Sequence, residues 1–177
     1  METSKAGDSL HLQVRRIIHA TGRFLDDVIV QYFQGINCLL PIISPRQFYR
    51  HIVHSHGPPT ADFSILLLSI CLITYCSVPE QQASQHVDRG ALYLTTKQLF
   101  AQVHGTASAP TIHLIRAGVF LAVYEYAHDK PGTGLVTMAG CARMAYAARI
   151  HQCASDDREA ANTWWAIVIL ERYGIVS

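Results

Sequence analysis

Phe63-Ser64-Ile65-Leu66-Leu67-Leu68-Ser69-Ile70-Cys71-Leu72-Ile73-Thr74-Tyr75-Cys76-Ser77-Val78-Pro79 is a long stretch of this chain without a charge. It shows no alternation of the kind that marks a half-buried strand. A bilayer span needs about 20 mostly apolar residues; this run has 17 and is broken by Ser64, Ser69, Thr74 and Ser77. The reading is a helix covered on every side by other helices. Thr60 or Asp62 starts it and Pro79 stops it.

The flanking segments agree with an all-α array of six to eight helices. On the N-terminal side, Leu10, Val14, Ile17 and Ile18, then Leu25, Val28, Ile29, Tyr32 and Phe33, recur at helical spacing, with Gly22 marking a bend. Ser44-Pro45-Arg46-Gln47 is a helix start: serine caps, proline suits the first turn, and Gln47 is placed to reach back as in a capping box. That helix runs to about Ser55, where Gly57-Pro58-Pro59 ends it. On the C-terminal side, helices are expected near 81–104, from Pro110 to His128, from Thr133 to Cys153 and from Ser155 to Tyr173. Asp129-Lys130-Pro131-Gly132 reads as a turn. The helix from Thr133 is rich in Gly, Ala and Met, which suits close packing, and Asp156 and Asp157 favour the positive end of the last helix.

Composition narrows the function classes. The 177 residues suit one domain over 10–177 behind a flexible N-terminus at 1–9. Hydrophobic residues make up 50% and charged residues 15%, which fits a heavy core, an apolar partner face or a ligand cavity. A net charge of +1 gives no electrostatic case for a nucleic-acid partner. Met1 to Ser9 is polar, so no secretory signal is expected there, and no membrane span is expected. Cys38, Cys71, Cys76, Cys141 and Cys153 form no C-x-x-C pair and read as free thiols of an intracellular protein, cytoplasmic or nuclear, without a zinc site.

Three motifs carry a resemblance. Tyr32-Phe33 is followed by Leu40-Pro41-Ile42-Ile43-Ser44-Pro45-Arg46-Gln47-Phe48-Tyr49. Leu121-Ala122-Val123-Tyr124-Glu125-Tyr126 is followed by Ala139-Gly140-Cys141-Ala142-Arg143-Met144-Ala145 and, further on, His151. Asn162-Thr163-Trp164-Trp165-Ala166-Ile167-Val168-Ile169-Leu170-Glu171-Arg172 completes the set. In order and spacing these resemble the middle homology, or regulatory, domain of fungal zinc-cluster transcription factors over roughly 28–173. The resemblance implies a helical regulatory scaffold. No cysteine precedes Tyr32, so the six-cysteine DNA-binding cluster of that family is not expected, and the family's later helices are expected to be missing beyond Ser177.

The chemistry-bearing candidates lie mostly in the matched segments. Glu125, Arg143 and Glu171 read as charges set inside long apolar runs. Glu125 is the candidate acid or base, with Tyr124 and His151 as auxiliary donors; the alternative is a structural ion pair with Arg143 or Arg172. Arg143, Tyr146, Trp164, Trp165 and Glu171 are candidate ligand contacts, in a pocket between the 110–128, 133–153 and 155–173 helices. His51 and His54 share a helix face, but no acid sits at a matching offset, so no metal is expected there. No phosphate loop or nucleophile elbow is present, and no cofactor is implied.

Three functions fit these residues. The first is a regulatory domain without a DNA-binding module that binds a small hydrophobic or oxygenated ligand or a protein partner. The second is a cofactor-free cyclase, isomerase or dehydratase of fungal secondary metabolism on the same scaffold. The third is a homodimer that covers Trp165, Val168, Ile169 and Ile175.

Overall fold

The computed structural model describes residues 2–53, 59–75, 87–152 and 157–176, with side chains placed at 7, 9–52, 59–75, 87–152 and 157–172. Among these residues the chain is helical throughout, without strands. The helices are α1 (Glu2–Ala20), α2 (Leu25–Gln34), the four-residue α3 (Ile36–Leu39), α4 (Pro45–Val53), α5 (Ala61–Tyr75), α6 (Arg89–Thr106), α7 (Ile112–Ala127), α8 (Pro131–Ala147) and α9 (Arg158–Val176). A short 3-10 turn at Ile150–Gln152 follows α8.

The uncharged run forms α5, and every residue from Phe63 to Tyr75 is buried. Three of its polar residues are tolerated because each hydroxyl bonds back along the helix: Ser64 to the Thr60 carbonyl at 2.9 Å, Ser69 to Ile65 at 2.9 Å, Thr74 to Ile70 at 2.8 Å. No helix of the described residues is long and apolar enough to cross a membrane. Helices α1, α2 and α6 pack around α5, and α7 covers its remaining side. On its other side α7 carries α8 and α9.

Local signals set the helix ends. Gly22 takes φ 75°, the left-handed conformation that glycine adopts without strain, and turns α1 into α2. Asp88 caps α6 by accepting from the Ala91 N–H at 3.0 Å, and Thr111 caps α7 by accepting from Leu114 at 3.2 Å. Asp157 caps α9, its Oδ1 accepting from Glu159 and Ala160 N–H at 3.0 and 3.2 Å; Ser155, the expected start, lies outside the described residues. Asp129 holds φ 55° in the expected turn, while Pro131 and Gly132 already belong to α8. Pro45 begins α4 as expected. The capping-box role foreseen for Gln47 goes to another residue, because the Ser44 N–H donates instead to Glu159 Oε1 at 3.0 Å.

The first motif divides its aromatic pair between two partners. Tyr32 meets Phe120 of α7 edge-on at 5.5 Å, and Phe33 meets Phe48 of α4 at 5.5 Å, which in turn meets Phe63 of α5 at 5.5 Å. The α7–α8 crossing is close: a Cβ on Gly118 would sit 2.6 Å from Cys141 Sγ, so only glycine fits without displacing α8. Cys71 and Cys141 are buried free thiols and Cys38 is exposed; Cys76 and Cys153 lie outside the described residues.

Candidate functional site

The residues singled out from sequence fall into two clusters and a remainder that is exposed or half-buried. Glu125, in the last turn of α7, is fully buried. Its Oε1 accepts from Lys97 Nζ at 2.6 Å and from the Tyr93 hydroxyl at 2.7 Å, both on α6. The partner is therefore Lys97, not the expected Arg143 or Arg172: α6 packs on α7 at this point and presents a lysine. Burial opposes the Lys97 charge, but its bonds to Glu125 and Tyr93 prevail and hold its pKa above the ordinary value. Tyr124 stacks between Tyr93 at 5.1 Å and His128 at 4.1 Å, and the His128 ring meets the Tyr124 carbonyl at 2.9 Å.

The second cluster joins α8, the 3-10 turn and α9. Tyr146, His151 and Trp164 meet with ring centroids 4.8 to 5.8 Å apart, and His151 Nδ1 is buried without a hydrogen-bond partner among the described residues. The contacts of Glu125 run to α6, so the proposed catalytic set of Glu125, Tyr124 and His151 is divided between the clusters. Glu171 is half-buried; burial first, then the Glu125 and Glu171 carboxylates, raise the Tyr126 phenol. Arg143 is exposed on α8 and so is not a charge within the core. Trp165 and Ile169 are 57% and 63% exposed; the double tryptophan splits, with Trp164 against α8 and Trp165 in solvent.

A third constellation escaped the sequence reading. Arg116, in the second turn of α7, is 2% exposed. Its Nη2 donates to Glu159 Oε2 at 2.7 Å and its Nε to Thr163 Oγ1 at 3.1 Å. Glu159 thus bridges α7 through Oε2 and the start of α4 through Oε1. Desolvation pulls the Arg116 pKa down, opposed chiefly by Glu159. The signal was available: Arg116 interrupts Leu114-Ile115 and Ala117-Gly118-Val119 just as Glu125 interrupts its own run. Its partner was hidden, because Glu159 in the first turn of α9 reads equally well as a residue facing the helix dipole.

Beside this ion pair a cleft opens between α4, α5, α7 and the start of α9. An inner chamber of about 230 Å³ carries Gln47, His51, His113, Arg116, Asp157 and Glu159 on its polar side and Phe48, Leu66 and Ile112 among its apolar walls. An outer chamber of about 740 Å³ shares Ile43, Gln47, Asp157 and Glu159 with it and extends to Asn162. Neither chamber is lined by Glu125, Tyr124, His151 or Trp164.

His113 sets the chemistry of the inner chamber. Its ring lies edge-on to His51 at 4.9 Å and to Phe63 at 5.3 Å, and its Nδ1 is buried without a hydrogen-bond partner among the described residues. Desolvation pushes its pKa down to about 4, with Arg116 and His51 acting in the same direction and Asp62 against. The ring is neutral at physiological pH, and Nδ1 accepts or donates according to tautomer. Burial works against the Asp62 charge, but hydrogen bonds from Thr111, Thr60 and the Phe63 N–H, with His113, hold its carboxyl below the usual range. Among the described residues no group of three His, Cys, Asp or Glu side chains could hold a metal; His54 lies outside them.

The comparisons with known proteins agree with this helical scaffold. The profile of the fungal specific transcription factor domain matches residues 29–174. Transcription factor BOA15 of Botryotinia fuckeliana (strain B05.10) is 31% identical over 131 residues, which covers 72% of this chain and 70% of that protein. No solved structure matches. The chain belongs to the fungal specific transcription factor domain family.

Two measurements rank these groups. Glu159→Gln keeps an acceptor for Ser44 but strands a buried guanidinium, so chemical denaturation should show a loss of about 3–5 kcal/mol. Glu125→Gln leaves a partly exposed lysine free to reach water and should cost less, about 1–3 kcal/mol; the reverse ranking would show that the Arg116–Glu159 bridge is not the stronger tie. The second concerns acid. Between about pH 6.5 and 4 the unfolded chain binds a proton at His113 that the folded protein does not, so stability falls as pH falls through this window. The loss is on the order of 3 kcal/mol, and His113→Phe should remove that part of the pH dependence in denaturant melts.

Proposed function

We propose that this domain regulates a transcription factor by binding a small, partly apolar, oxygen-bearing molecule in the cleft between α4, α5, α7 and α9. One observation carries the reading: a histidine that lines the inner chamber holds a buried nitrogen that no described protein group satisfies. Buried polar groups are normally paired, and a ligand hydroxyl or carbonyl on His113 Nδ1 would pair this one. Concave chambers in which apolar walls meet convergent polar groups are a usual form of small-molecule site. The inner chamber takes a compact polar head and the outer one its body.

Such a ligand would touch α4, α7 and the first turn of α9 together. Those are the three elements that Glu159 joins, so occupancy would tighten the seat of α9 on α7. In a transcription factor this offers a route from a metabolite to the surface that α9 presents, and the reading goes with a site of action inside the cell, cytoplasmic or nuclear. The cofactor-free enzyme reading draws less support, because its acid, Glu125, is clamped by Lys97 and Tyr93.

A panel of small aromatic and aliphatic hydroxy-acids, hydroxy-ketones and alcohols tests the site by thermal denaturation. A member present at a hundredfold excess over its Kd stabilises by about 2.7 kcal/mol, a rise in Tm of roughly 5–10 °C. The rise should disappear in His113→Phe. A ligand whose effect survives that substitution and is lost in Trp164→Leu would move the site to the α8–α9 cluster.

Self-association is a second reading, favoured by the exposure of Trp165 and Ile169, one turn apart on α9. Sedimentation should show a dimer at high micromolar concentration that Trp165→Glu converts to monomer; a monodisperse monomer of the unaltered chain would contradict it.

A further inference from the structure

The turn between α1 and α2 builds a groove of about 510 Å³ that takes no part in the ligand cleft. It precedes residue 29, where the family match begins. Leu12, Arg15, Arg16, His19, Arg23 and Phe24 line it. Leu12 and Phe24 are 56% and 68% exposed, so two large apolar side chains lie open at its surface. Around them stand three guanidinium groups and an imidazole. Among the described residues no carboxylate lines the groove; Asp26 and Asp27, in the first turn of α2, are outside it.

The groove is a built feature. The inward face of α1 is used up by Val14 and Ile18, buried against the core. Leu12, Arg15, Arg16 and His19 therefore fall on the outward face at helical spacing. Arg23 is tied down, donating through Nη1 to Thr74 Oγ1 at 3.1 Å and through Nη2 to Gln31 Oε1. This fixes the wall that carries Phe24, whose ring also meets His19 edge-on at 6.4 Å. Arg15 and Arg16 are exposed on the opposite wall.

We propose that this groove docks an acidic, amphipathic peptide segment of a partner protein. Its carboxylates pair with Arg15 and Arg16, whose planar forks suit bidentate contact, and an apolar side chain covers Leu12 and Phe24. Charge complementarity chooses the acidic partner, and the apolar centre chooses a peptide over a polyphosphate. A duplex backbone is met by rows of cations without exposed aromatic surface, and this chain has a net charge of only +1. A membrane surface would need the apolar face of α1, which the core already occupies.

Fluorescence anisotropy on the full chain tests the proposal with a short labelled peptide alternating Asp or Glu with Phe or Leu. Two controls accompany it: the same peptide with each apolar residue replaced by Ser, and the same peptide with each acid replaced by Lys. The acidic amphipathic peptide should bind, with affinity falling as salt rises, and each control should bind about tenfold more weakly or worse. Arg15→Glu with Arg16→Glu should weaken binding by about tenfold or more, and Phe24→Ser should weaken it while leaving every charge in place. All three positions are solvent-facing, and circular dichroism would confirm that the variants keep their helices. Equal binding of the Ser control would reduce the effect to diffuse charge and overturn the proposal. So would absence of binding, indifference to both variants, or tighter binding of duplex DNA or anionic vesicles than of the peptide.

Discussion

The carboxylate of Glu159 holds three distant parts of the chain in one place. Through Oε2 it neutralises the buried guanidinium of Arg116, and through Oε1 it receives the N–H of Ser44. Asp157, two residues earlier, caps the helix that carries it. Neither partner has a substitute in view. An unpaired guanidinium in the second turn of α7 would carry the full desolvation penalty of a buried cation, and the Ser44 N–H would lose its acceptor at a helix start. The seat of α9, the entry angle of α4 and the walls of the cleft follow from this bridge.

The Glu125–Lys97 pair does a similar job at the other end of α7, with different consequences. Lys97 remains partly exposed, so water can relieve it when the pair is broken. Arg116 has no such escape. The two ends of α7 are thus fixed by one tolerant and one intolerant ion pair. The cleft lies beside the intolerant one, where the dielectric is low and a polar ligand group would interact strongly.

Much of the scaffold was legible in the sequence. The uncharged run around Leu66 had to be a central helix, because no surface position could accommodate it. Gly22, Pro45 and Asp129 marked their turns through local backbone chemistry that needs no tertiary information. The site was less legible. Glu125 and Arg116 each interrupt an apolar run, yet only the former drew notice, and its partner proved to be Lys97, a residue that looks like an ordinary surface lysine. Arg143 falls on the outward face of α8 because Cys141, Met144 and Ala145 take the inward one. The neutral state of His113 depends on α4, α5 and α7 meeting around it, and no local pattern encodes such a meeting.

The central claim is that ligand recognition centres on His113 and not on the aromatic cluster of Tyr146, His151 and Trp164. Long-range proton–nitrogen spectra of the ten histidine rings, recorded during titration with a stabilising small molecule, address it directly. The account predicts that the Nδ1 resonance of His113 moves furthest, with His51 following as its ring neighbour. A His113 signal that stays still while the His151 ring and the Trp164 indole move would contradict it.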